Sequence, residues 1–138
     1  MSASPDEIDA ALFGALTAVW DATPVANIAL PNNGFAPADL PSGSSYMEME
    51  VVGGTDATRT MTCDLTTGIR VLEISAHTPL GVGKSLAAGL IASAVSIFQG
   101  QRIVAGTSSL VFKNASAPMP LPKDGWFKLT VRLTFQLI

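Results

Sequence analysis

Trp126-Phe-Lys-Leu-Thr-Val-Arg-Leu-Thr-Phe-Gln-Leu-Ile138 is the stretch that decides the fold. Phe127, Leu129, Val131, Leu133, Phe135 and Leu137 alternate with Trp126, Lys128, Thr130, Arg132, Thr134 and Gln136. A period of two puts the first set on one side of a β-strand and the second on the other. The apolar side has to be buried, and the polar side marks the face turned away from the core. The chain therefore builds a sheet with one core face, and the rest of the sequence has to supply its neighbours and its cover.

Two helices supply the cover. Ser4-Pro5-Asp6-Glu7 reads as a helix start, with Ser4 as cap, Pro5 at the first helical position and Glu7 completing a capping box. Ile8, Ala11, Leu12, Ala15, Leu16, Val19 and Trp20 then fall on one stripe, and the helix is predicted to end near Trp20–Ala22, ahead of Thr23-Pro24. Pro79-Leu80-Gly81-Val82-Gly83 breaks the chain before a second helix at about Lys84–Phe98. Its apolar face is Ala87, Leu90, Ile91, Ala94, Val95 and Phe98, its small residues permit close packing on a sheet, and Gly100 is the expected stop.

The remaining strands are read from alternation and from turn residues. A short strand is expected at Val25–Ala29, followed by a long extended loop containing Pro31, Pro37 and Pro41. Tyr46–Val52 is a strand whose two sides are Tyr46, Glu48, Glu50 and Met47, Met49, Val51. Gly53-Gly54-Thr55-Asp56 reads as a turn or loop, Arg59–Leu65 as a second strand and Ile69–Thr78 as a third. After the second helix, Arg102–Lys113 is expected as one strand, and a loop with Pro118, Pro120 and Pro122 leads to the final strand. The order α-β-β-β-α-β-β has no repeated βαβ unit. It predicts an α+β protein, one domain over residues 1–138, with a single mostly antiparallel sheet and two helices packed on one face.

Composition narrows the function. The chain has 138 residues, 48% of them hydrophobic and 14% charged, as a globular protein does. Its net charge is −3 and its eight Lys and Arg are scattered, which argues against electrostatic gripping of nucleic acid. The start, Met-Ser-Ala-Ser-Pro-Asp-Glu, lacks the basic and apolar regions of a signal peptide. The most apolar stretch, Leu86–Phe98, is far short of the ~20 residues a membrane span needs. A cytoplasmic site of synthesis and no membrane partner are expected. Cys63 and His77 are the only residues of their types, so both are read as ordinary strand residues, and neither an intrachain disulfide nor a metal site is expected.

Gly83-Lys84-Ser85 at a helix start invites comparison with a phosphate-binding loop. The pattern G-x-x-x-x-G-K-[ST] would need glycine at position 78, where this chain has Thr78, and Pro79 removes a further N–H donor. No later apolar strand ends in an Asp able to hold a metal. Nor is there a G-x-S-x-G, an H-E-x-x-H or a two-cysteine motif. No catalytic residue and no cofactor is expected. Glu48 and Glu50 share one side of a strand, and two carboxylates spaced i, i+2 on an exposed strand are ordinarily a solvated face.

Several short motifs run in an order that resembles the tail terminator (tail-completion) proteins of long-tailed, siphovirus-type bacteriophages. They are Pro24-Val25-Ala26, Pro31-Asn32, Phe35-Ala36-Pro37, the strand opened by Tyr46, Pro79-Leu80-Gly81-Val82-Gly83, the helix closing on Phe98-Gln99-Gly100, and Gly125-Trp126 before the alternating strand. Leu30 stands where the family often has an aromatic residue, Gly34 replaces a proline, and Gly68 precedes Arg70 where the reverse order is usual. The resemblance implies a virion structural protein, assembled in the host cytoplasm and placed at the head-proximal end of the tail. It further implies a homo-oligomeric ring, usually a hexamer, that stops tail growth, touches the tail tube protein and the head–tail connector or neck proteins, and lets DNA pass without specific binding. The family offers no catalytic residues to transfer. In such a ring Glu48 and Glu50 are the candidate lumen-facing groups. The loops Leu30–Ser45, Gly53–Leu65 and Lys113–Asp124 are the candidate arms between subunits. The competing readings are another neck or tube component, or a small domain binding an anion or nucleotide at Gly81–Ser85.

Overall fold

The computed structural model describes residues 5–20, 28–29, 44–58, 66–81, 84–106, 108–123 and 126–138. Helix α1 spans Pro5–Val19 and helix α2 spans Ser85–Phe98. The strands are β1 (Ile28–Ala29), β2 (Tyr46–Thr58), β3 (Thr66–Pro79), β4 (Arg102–Ala105), β5 (Ser108–Ala115), β6 (Met119–Lys123) and β7 (Trp126–Leu137). They form one sheet in the order β1-β2-β3-β7-β5-β4, with β6 also paired to β7. Every pairing is antiparallel except β1 with β2. Two helices and a mostly antiparallel sheet make the chain α+β.

β7 stands at the centre, as its alternation required. Leu129, Val131, Leu133 and Phe135 lie opposite Ala76, Ile74, Leu72 and Arg70 of β3. Met49 and Met47 of β2 continue two of these rows beside Ile74 and Ala76. Ile8, Leu12 and Leu16 from α1 and Ala87, Leu90, Ile91, Ala94 and Phe98 from α2 share one buried cluster with the apolar residues of these rows. Ala87 and Ala94 are buried without residual exposure, so the small residues of α2 bring its axis close to the sheet. α1 lies by β4 and α2 by β3 and β7. Phe112 joins the two regions, its ring 5.3 Å from that of Phe98 and 4.9 Å from that of Phe135.

The structure corrects several sequence expectations. Gly53–Asp56 is not a turn: β2 runs on to Thr58, and a register shift between Val51 and Gly54 absorbs the glycines. Arg102–Lys113 is not one strand but the hairpin β4–β5, in which Ala105 pairs with Ser108. Its two-residue turn begins at Gly106 with φ 58°, the left-handed backbone such short hairpins need. A side chain at Gly106 would also run into the Glu7 carboxylate of α1. Lys113–Asp124 is not a free loop, because β5 reaches Ala115 and Met119–Lys123 pairs with β7. The described order is thus α-β-β-β-α-β-β-β-β.

Ser4, residues 25–27 and 30–43, and the Arg59–Leu65 strand lie outside the described residues. Among the described residues, no helix is long and apolar enough to cross a membrane.

Candidate functional site

The outer face of the sheet, on the side opposite the buried cluster, gathers the polar half of each alternating strand. Three cross-strand rows follow from the register of β2, β3 and β7. They are Tyr46–His77–Lys128, Glu48–Ser75–Thr130 and Glu50–Glu73–Arg132. Residues directly opposite on antiparallel strands are close enough for their side chains to interact. These rows therefore fix which groups meet.

The first row begins with an aromatic stack. The rings of Tyr46 and His77 are 4.2 Å apart and within 2° of parallel, and Trp126 meets Tyr46 edge-on at 5.0 Å. Glu48 reaches back over this row, with Oε1 3.9 Å from His77 Nε2 and 3.9 Å from Lys128 Nζ. In the second row the hydroxyls of Ser75 and Thr130 share a buried hydrogen bond of 2.9 Å. The third row ends in an ion pair, where Arg132 Nε donates to Glu73 Oε2 at 2.9 Å. The Arg132 backbone is held as well: its N–H donates to Ser116 Oγ at 3.0 Å, and its carbonyl accepts from Ser116 N–H at 2.8 Å.

Burial divides the outer face into two ends. Tyr46, Ser75, His77 and Thr130 are all at or below 1% exposure. Toward the other end Glu50, Arg132 and Thr134 are exposed, as are Ile69, Arg102, Val104 and Ile138. Ile69 is in register with Gln136, Gln136 with Val111, and Val111 with Arg102, so these residues cross the sheet on this face.

The two sequence-predicted residues meet different surroundings. The structure places Glu48 and Glu50 on one face, but Glu48 is half-buried between His77 and Lys128. Glu50 is exposed and stands across from Glu73. Sequence reasoning missed His77 and Lys128 as partners of Glu48. The missing signal was the pairing of β2, β3 and β7, which alone brings positions 48, 77 and 128 together.

The His77 imidazole has no exposed surface to offer a substrate. The nearby hydroxyl of Ser75 is engaged by Thr130. Among the described residues, no group of three or more His, Cys, Asp or Glu could hold a metal ion. At the start of α2, Lys84 is exposed, takes the capping position and makes no side-chain cap hydrogen bond. Gly83, next to it, lies outside the described residues.

A family model described as phage tail terminator protein matches residues 7–135. No curated protein matches the chain significantly. Several solved structures are similar in fold, among them one with a TM-score of 0.75 at 22% identity, the match covering 98% of this chain and 96% of that one.

Proposed function

The chain belongs to the phage tail terminator family, and from that premise we propose that it closes the head-proximal end of a finished tail tube as a hexameric ring. Family membership itself makes the protein a structural component of the phage tail, and so of the virion. The ring would stop further addition of tube subunits and present its far side to the connector or neck proteins of the head. The observation that carries this reading is the extent of the family match, which runs from within α1 into β7.

The outer face supports it. Its end with Glu50, Arg132 and Thr134 is exposed and open to the interior of an assembly, while Tyr46, Ser75, His77 and Thr130 at the other end are buried. We turn it toward the channel, with Glu50 exposed and Glu48 beside Lys128. A passing polyanion is held by clustered cations through counterion release. Here Lys128 and Arg132 each stand beside a carboxylate, which weakens their hold on it. No enzymatic step is needed for this role.

Negative-stain imaging tests the reading directly. Purified protein added to tail tubes lacking their terminator should appear as extra density at one end of each tube. Unchanged tube ends would refute it, and density on isolated connectors instead would reassign the protein to the neck. The channel orientation has its own test. Glu48→Lys with Glu50→Lys should slow DNA ejection from particles of normal tail length, and undiminished ejection would remove that orientation alone.

A further inference from the structure

The charge of the sheet is sorted across its width. The acidic residues of the strands, Glu48, Glu50, Asp56 and Glu73, all lie on β2 and β3. β4, β5, β6 and β7 contain no acidic residue and carry Arg102, Lys113, Lys123, Lys128 and Arg132, while Arg70 is the one Lys or Arg on β3. Because the strand order is β1-β2-β3-β7-β5-β4, one margin of the sheet is acidic and the opposite margin basic.

Both margins are open among the described residues. β1 pairs with β2 only at Met47 and Glu48, and among the described residues no strand stands beside the far edge of β2 from Met49 onward. β4 pairs with β5 alone. Besides Lys113 of β5, each margin bears an exposed charge without an ion-pair partner among the described residues: Glu50 at the β2 side and Arg102 at the β4 side. Both lie on the outer face, because Glu50 shares a row with Glu73 and Arg132, and Arg102 shares one with Val111 and Gln136. Beside Arg102 on the same face, Val104 is 70% exposed, the most exposed large apolar residue among those described.

We propose that the β4 margin, with Arg102 and Val104, docks a second copy of this chain head to tail, at the β2 margin around Glu50. This rests on the ring reading above and names the seam of that ring. A head-to-tail contact uses two different surfaces on each copy, and it closes into a ring when the rotation allows. The acidic margin of one copy against the basic margin of the next satisfies that requirement, whereas a two-fold pairing of identical margins would set like charge against like. The occupant is a second copy because the charge that Arg102 lacks within its own sheet stands at the opposite end of the same sheet. The pairing also removes Arg102 as a handle for DNA on a face turned to the channel.

Mixing charge-reversed variants tests the seam. Sedimentation velocity at high protein concentration and low salt should show wild-type association that weakens as salt is raised. Arg102→Glu and Glu50→Arg should each weaken association by roughly tenfold or more, since each sets like charges together. An equimolar mixture of the two should recover it, because a ring in which the two variants alternate sets opposite charges together at every seam. Recovery would also show that both variants are folded. Single variants that associate like wild type, a mixture that fails to recover, or a wild type that stays monomeric would each overturn the seam. Tail-end binding of wild-type protein, imaged separately, decides the ring function whatever the seam result.

Discussion

The two faces of β7 differ in what each residue answers to. On the core face, Leu129, Val131, Leu133 and Phe135 belong to one buried cluster with residues of α1, α2 and neighbouring strands. On the outer face the same strand offers Thr130, Arg132 and Thr134, whose surroundings change from a sealed hydrogen bond to open solvent within four positions. The core face is filled by shape, so its residues are set by packing. The outer face is sparsely covered at one end, so its residues are free to be set by partners. Stability should therefore follow the first face and assembly the exposed end of the second.

Substitutions ranked by expected cost can break or sharpen this contrast. Leu133→Ala removes a side chain with no exposure at the centre of the sheet and should cost about 2–5 kcal/mol, read from the denaturant midpoint. A mutant unfolding at the wild-type midpoint would show that the core face is wrongly identified.

Ser75→Ala strands the Thr130 hydroxyl in a buried place and should cost about 1–3 kcal/mol. Ser75→Ala with Thr130→Val should cost less than the sum of the single changes. Strict additivity in that cycle would mean that the two hydroxyls do not interact.

Gly106→Ala places a side chain on a left-handed backbone facing Glu7, with an expected cost of about 1–2 kcal/mol. Pairing it with Glu7→Ala should relieve part of that loss. Equal loss in both backgrounds would leave backbone strain as the whole cause.

Arg132→Ala breaks an ion pair whose arginine is 52% exposed and should cost only about 0.2–1 kcal/mol. A loss comparable to that of Leu133→Ala would erase the distinction between the faces. Lys84→Ala, at an exposed position, should change neither midpoint nor assembly.

The sequence made the core face legible because burial imposes a period. β7 and both helices could be read from spacing alone, and α1 and α2 end within a few residues of where Thr23-Pro24 and Gly100 suggested. Errors arose where local signals compete with the ladder. Gly53-Gly54 looks like a turn, yet a bulge takes in the extra length without ending β2. Pro120 and Pro122 argued against a strand, yet among the described residues β6 pairs with β7 alone, and an edge strand tolerates proline. The hairpin turn at Gly106 was missed because the apolar residues Ile103–Ala105 and Leu110–Phe112 on either side were read as one strand. The Glu48–His77–Lys128 contact had no local trace, because it depends on three strands in one register.

Tail length is the most direct test of the central claim, that this family member ends tube growth. Cells producing tails without their terminator should make overlong tubes, and supplying this protein should restore a single narrow length distribution with one capped end per tail. Tubes that stay overlong and uncapped in the presence of folded protein would contradict the account.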